Sequence, residues 1–115
     1  IAYHSLGQQD SALKDLNQTI KMQPSFVMAY LMRGSTYLKM KNFKSALADL
    51  NVVLKSDPFN DQGYMTRGLA YEGLEQYEQA IADWKEAKKL NKENSDNVHE
   101  LINRAKEESK GRKTE

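Results

Sequence analysis

Cysteine is absent, which excludes a disulfide framework, a thiol nucleophile and a thiolate zinc site. That absence suits a reducing compartment such as the cytoplasm. Histidine is scarce: His4 and His99 lie far apart, neither has a partner at metal-ligand spacing, and both read as incidental. No apolar run approaches the roughly 20 residues that span a bilayer, and the N-terminus lacks the basic-then-apolar order of a signal peptide. Phosphate loops, a GxGxxG fingerprint and a nucleophile elbow are also missing, so no cofactor is implied and the chain does not read as an enzyme. An excess of one charge is missing too. Lys and Arg number 17 against 16 Asp and Glu, too even a balance to draw nucleic acid or anionic lipid by a global field.

What is present is pattern. Hydrophobic residues form 39% of the 115 positions, few for a globule, yet so regularly placed that one modest core is expected rather than disorder. The stretch "YLMRGSTYL" from Tyr30 returns 34 positions later as "YMTRGLAYE" from Tyr64. That shift also aligns Arg33 with Arg67, Gly34 with Gly68, Tyr37 with Tyr71, Ala46 with Ala80 and Asp49 with Asp83. A second shift backward aligns Tyr3 with Tyr37, Ala12 with Ala46, Asp15 with Asp49, Leu16 with Leu50 and Pro24 with Pro58. A fixed period of this length marks a stack of supersecondary units.

Within each copy the apolar spacing is helical, as in Phe43, Ala46, Leu47, Leu50, Val53 and Leu54, or Tyr77, Ala80, Ile81, Trp84 and Ala87. Pro24 and Pro58 cannot continue a helix and mark the stops between copies. Ser25, Asn60 and Ser95 are placed to cap the helices that follow. The short polar connectors "KMKN" and "GLEQ" suit antiparallel helical hairpins. Gly34 and Gly68 fall inside helices, where glycine costs about 1 kcal/mol relative to alanine; close approach of the second helix at Ala46 or Ala80 is the expected compensation. One thin seam cannot stabilise a lone hairpin, so Tyr30, Tyr37, Tyr64, Tyr71 and Trp84 are expected to be core.

These offsets resemble the tetratricopeptide repeat family. Counted from Val27 and Asp61, the pattern is carried by Tyr30, Gly34, Tyr37, Ala46, Leu50 and Pro58, then Tyr64, Gly68, Tyr71, Ala80 and Trp84. The resemblance implies an all-α, right-handed α-solenoid of antiparallel helix-turn-helix repeats with a C-terminal capping helix. Residues 1–24 then form a partial first unit (the second half of one helix plus the next), 25–58 and 59–93 two full units, 94–110 the cap, and 111–115 a solvated tail. Lys92 replaces the repeat proline and bulky Ile102 stands where Gly34 and Gly68 sit, which reads as closure of the stack. Because Tyr3 takes the place of Tyr37 in mid-helix and the chain starts at Ile1, the natural protein is expected to continue upstream.

In the resembled fold the first helix of each unit lines a concave groove. Its ligand-facing offsets fall here on Met28, Leu31, Met32, Ser35 and Lys39, then Gln62, Met65, Thr66, Leu69 and Gly73. Family members that hold acidic chaperone tails use lysine, asparagine and arginine at such offsets; Met32, Gln62 and Thr66 stand there instead. A Met-rich apolar groove suits a partner helix or extended peptide, unless adjacent units half-cover these methionines. Arg33 and Arg67 occupy a family position that is commonly apolar, and read as structural partners of Asp49 and Asp83, with repeated anion capture as the alternative. The leading function is therefore a non-catalytic protein-protein interaction scaffold within a longer protein or larger assembly. The alternatives are an RNA-binding helical repeat, for which the groove lacks polar readers and phosphate contacts, and a targeting or regulatory module of an enzyme lying upstream. Oligomeric state is left open.

Overall fold

The computed structural model describes residues 2–114, with side chains described for 7–111. Where the 34-residue phrase repeats, two helical hairpins form: α2 (Val27–Lys39) with α3 (Phe43–Ser56), and α4 (Asp61–Gly73) with α5 (Tyr77–Leu90). They follow α1 (Ala2–Met22) and precede α6 (Ser95–Thr114). A single 3-10 turn over Lys92–Asn94 leads into α6 where the repeat proline is replaced by Lys92. No strand occurs among the described residues.

Each hairpin turns by the same backbone device. Lys41 and Glu75 adopt φ of 61° and 63°. Behind them Asn42 N–H donates to Tyr37 O and Gln76 N–H to Tyr71 O, both at 2.9 Å, while Lys41 and Glu75 donate to Leu38 O and Glu72 O. This is the paired closure of a Schellman turn, with a left-handed residue just past the helix end. Gly7 holds the same register in the first copy, yet α1 runs through it as a helix with no left-handed glycine among the described residues. The turn expected within residues 1–24 is therefore not made. Helical continuation through Gly7 keeps the backbone hydrogen bonds of the segment paired. The placement of Tyr3 and His4 side chains lies outside the described residues.

The hairpins meet along two buried clusters. Ala46, Leu50 and Ala70 form one, with Leu31, Tyr37 and Leu38 packed against it. Ala80, Trp84, Val98 and Ala105 form the other, with Met65, Leu69, Tyr71 and Ile102 alongside. Trp84 is wholly buried, and its indole N–H donates to Met65 O at 3.2 Å, which resolves the one polar atom such burial leaves. Gly34 and Gly68 do face the second helix closely, Gly34 meeting the Ala46 backbone as expected, at 3.5 Å from a Cβ to Ala46 O, with a larger side chain nearer still at both. A Cβ at Gly34 would lie 3.1 Å from Leu50 Cγ, and one at Gly68 2.7 Å from Trp84 Cδ1. The large side chain one turn beyond the repeat alanine fills the space the glycine leaves.

Of the expected caps, Asn60 alone acts as one, accepting from Gly63 N–H at 2.9 Å. Phe26 precedes α2 without a side-chain cap, and Ser95 is already helical. Instead Asn91 caps the 3-10 turn, and a polar clasp holds the start of α6. Asn94 and Asn91 donate to the Asp61 carboxylate at 3.0 and 3.2 Å, and Asn94 also donates to Ala87 O. Helix α6 runs on to Thr114, through the segment expected to be a solvated tail; its polar residues form intrahelical backbone bonds without needing a buried face.

Candidate functional site

Two arginines organise the surface between units. Arg33 Nε and Nη2 donate to the two carboxylate oxygens of Asp49 at 2.8 and 2.7 Å, and Nη1 donates to Asn17 Oδ1 at 2.9 Å. Arg67 repeats this with Asp83 at 2.8 and 2.8 Å and Asn51 at 3.1 Å. One guanidinium thus grips the aspartate 16 residues ahead in its own hairpin and the asparagine 16 residues behind in the previous unit. The planar fork matches the carboxylate, and the hydrogen bond to the aspartate raises each guanidinium pKa above its ordinary value against the lowering by burial.

Tyrosine rings flank each fork, Tyr30 and Tyr37 at 5.5 and 6.0 Å from Arg33 Cζ, Tyr64 and Tyr71 at 5.6 and 5.7 Å from Arg67 Cζ. These four tyrosines are half-buried and not fully enclosed as expected, although Tyr37 and Tyr71 pack against the two core clusters; stacking on a guanidinium leaves one ring edge wet. Each arginine spends three of its five N–H donors on these partners, and its charge is balanced by the aspartate it grips. Asn17 and Asn51 went unnoticed in the sequence, although the same shift of 34 relates them.

The proposed groove residues divide into two groups. Met28 and Met32 are 51% and 52% exposed, and Gln62 and Lys39 are also exposed, while Leu31, Ser35, Met65, Thr66 and Leu69 are half-buried. Leu31 packs on the first core cluster, Met65 and Leu69 on the second. Helix α6 rises beside Met65 and Leu69, leaving a depression of about 450 Å³ shared with Asn97, Leu101 and Arg104. Arg104 fixes that helix in place, donating from Nε to Glu72 Oε2 at 2.8 Å and from Nη2 to Oε1. Gly73 carries the ring of Phe43 against it, so it is filled from the preceding hairpin. Away from this face, Met22, Phe26 and Phe59 stand exposed at the connectors.

His99 is exposed, its Nε2 3.1 Å from Lys88 Nζ. Among the described residues no group of His, Asp and Glu is gathered to hold a metal ion, and no helix is long and apolar enough to cross a membrane.

Residues 29–60 and 62–94 each match a family model described as Tetratricopeptide repeat. Among solved structures the chain is similar to MamA (41-end) from Desulfovibrio magneticus RS-1, at 28% identity and TM-score 0.71, covering 93% of this chain and 70% of that one. It is similar to the Arabidopsis OM64 TPR domain at 25% identity and TM-score 0.82, covering 92% and 87%. The first TPR of Spaghetti (RPAP3), bound to an HSP90 peptide, superposes at 22% identity and TM-score 0.83, covering 92% and 83%. That last likeness is one of fold. No curated protein matches the sequence.

Proposed function

Because the chain belongs to the tetratricopeptide repeat family, we propose that it is a non-catalytic scaffold that binds a segment of a partner protein along the inner face of α2 and α4. The observation that carries this reading is the exposure of Met28 and Met32 on the first helix of a unit. Flexible, polarizable side chains left in water suit an apolar partner surface. A similar fold holds an HSP90 peptide, but Met32, Gln62 and Thr66 occupy the offsets where an acidic tail would need asparagine, lysine and arginine. Apolar anchors on a helix or extended peptide fit better than a terminal carboxylate. The paired arginines leave no cationic row for RNA phosphates, which favours protein over nucleic acid.

Selection from a displayed random-peptide library tests this. The expected binders share apolar anchors, tolerate added salt, and lose affinity for a Met28→Glu, Met32→Lys variant whose helicity is retained. Both side chains are about half exposed, so the variant alters the surface and spares the core. Binders with acidic tails alone, or binders indifferent to the variant, would sink the reading. Affinity falling steeply with salt would transfer support to RNA.

A further inference from the structure

Beyond Met28 and Met32, the inner face is divided by charge. The Arg104–Glu72 pair, which bridges α6 to α4, separates two depressions that share Leu69 and Arg104 as a common ridge. On the side of the first hairpin's turn, about 550 Å³ lies open over Leu38, Phe43 and Leu69, walled by Lys39 and Lys41. Gly73 gives the Phe43 ring its place on that floor, since a Cβ there would run into the ring. On the other side, the depression of about 450 Å³ over Met65, Leu69 and Leu101 is rimmed by Asn97 and Glu100.

The two rims have opposite sign. Lys39, Lys41 and Glu100 form no ion pair among the described residues, while Glu72 is taken by Arg104. Glu108, one turn beyond Arg104 on α6, offsets one of the cations and leaves the turn side positive. Glu100, one turn before Arg104, makes the other side negative. The sign therefore changes along α6. Neither lysine is required by the turn itself, because the second hairpin closes with the same backbone bonds through Gly73 and Glu75 at those two positions.

We propose that the inner face takes a partner segment of ordered charge, with apolar side chains in the two depressions, an acidic residue beside them at Lys39 and Lys41, and a basic residue at Glu100. This rests on the scaffold reading above and adds to it the sign and direction of the bound segment. Met28 and Met32 accept apolar anchors in either orientation. The two rims do not, because a segment laid down in reverse would set like charges against each other beside a partly desolvated floor.

Peptides selected from the displayed library against the whole chain test this when they are sorted by charge. Those that lose affinity for the Met28→Glu, Met32→Lys variant are expected to carry an acidic residue on one side of their anchors and a basic residue on the other, in one order along the peptide. Lys39→Glu combined with Lys41→Glu should weaken such a peptide about fivefold at low salt, and replacing the peptide's acidic residue with lysine should restore most of that loss. Glu100→Lys should act in the same way on the basic residue. All three positions are exposed, so these substitutions leave the fold intact, which circular dichroism checks. Anchored peptides with no ordered charge, or charge reversals without rescue, overturn this proposal and leave the scaffold reading standing. Peptides indifferent to Met28 and Met32 overturn both.

Discussion

Gly34 and Gly68 share a register, yet a methyl group at each meets a different obstacle. At Gly34 it presses on the branched end of Leu50, which can shift by tenths of an ångström, and alanine regains helix propensity of about 1 kcal/mol. At Gly68 it enters the rigid Trp84 indole, already fixed by its bond to Met65 O. Gly68→Ala should therefore lose about 1–3 kcal/mol, with Gly34→Ala close to neutral, as read from paired urea denaturation curves. Arg67 raises a second contrast. Its removal strands a buried Asp83 carboxylate, a loss of about 3–5 kcal/mol, and a double-mutant cycle with Asp83→Ala should return a coupling above about 0.5 kcal/mol. A cycle returning zero would contradict the bidentate pairing. The arginine-aspartate pairs could be read from the sequence because both partners recur at one shift. The tyrosines were legible only in part: aromatic periodicity signals the packed seam that Tyr37 and Tyr71 join, and only the position of the guanidinium shows that Tyr30 and Tyr64 stack on charge beside it.

Helix boundaries separate what local chemistry dictates from what tertiary neighbours decide. The two inner turns hold Lys41 and Glu75 at positive φ, which side chains disfavour, and so depend on the packed hairpins; the proline stops follow from the residues themselves. The continuous α1 does not, since Gly7 would tolerate either a left-handed turn or a helix. Nothing lies within 4 Å of a Cβ built at Gly7, so Gly7→Ala should raise stability by about 1 kcal/mol in a helix and lower it in a left-handed turn; a thermal melt decides. The clasp on α6 was equally hidden, because Asn94 reaches across 33 residues to Asp61. Hydrogen bonds from Asn94 first, then Asn91, hold the Asp61 carboxyl below its usual range despite burial. The unfolded chain takes up that proton more readily, so the contribution is whole above about pH 4 and fades as acid protonates the folded carboxyl. Asp61→Ala should accordingly lower Tm at neutral pH, with the gap from the parent protein closing as pH falls below the usual carboxylate range. A gap that stayed constant with pH would place the clasp's value elsewhere.

Across the whole molecule, each unit touches chiefly the next, and stability in such a stack is close to a sum of unit and interface contributions. Helices α3 to α5 have neighbours on both sides, while in α1 Asp15 is exposed and Leu16 only half-buried. Amide exchange should be slowest in α3 to α5 and markedly faster throughout α1; equal protection in α1 would show that its open side is not a weakness. The periodicity made the stack legible in sequence, but the partner-facing surface was legible only as a set of offsets. Which side chains stay wet depends on how far α6 leans over Met65 and Leu69, and no local pattern encodes that. The double grip of Arg33 and Arg67 has one last consequence, for how such a molecule can grow. Each guanidinium reaches 16 residues forward and 16 back, across an inner turn and an outer connector, so the array carries a ruler. A duplicated copy of the full period would extend it with every joint intact. A copy one residue shorter or longer within either span would confront an arginine with the wrong side chain at that joint, and its descendants would inherit a broken seam.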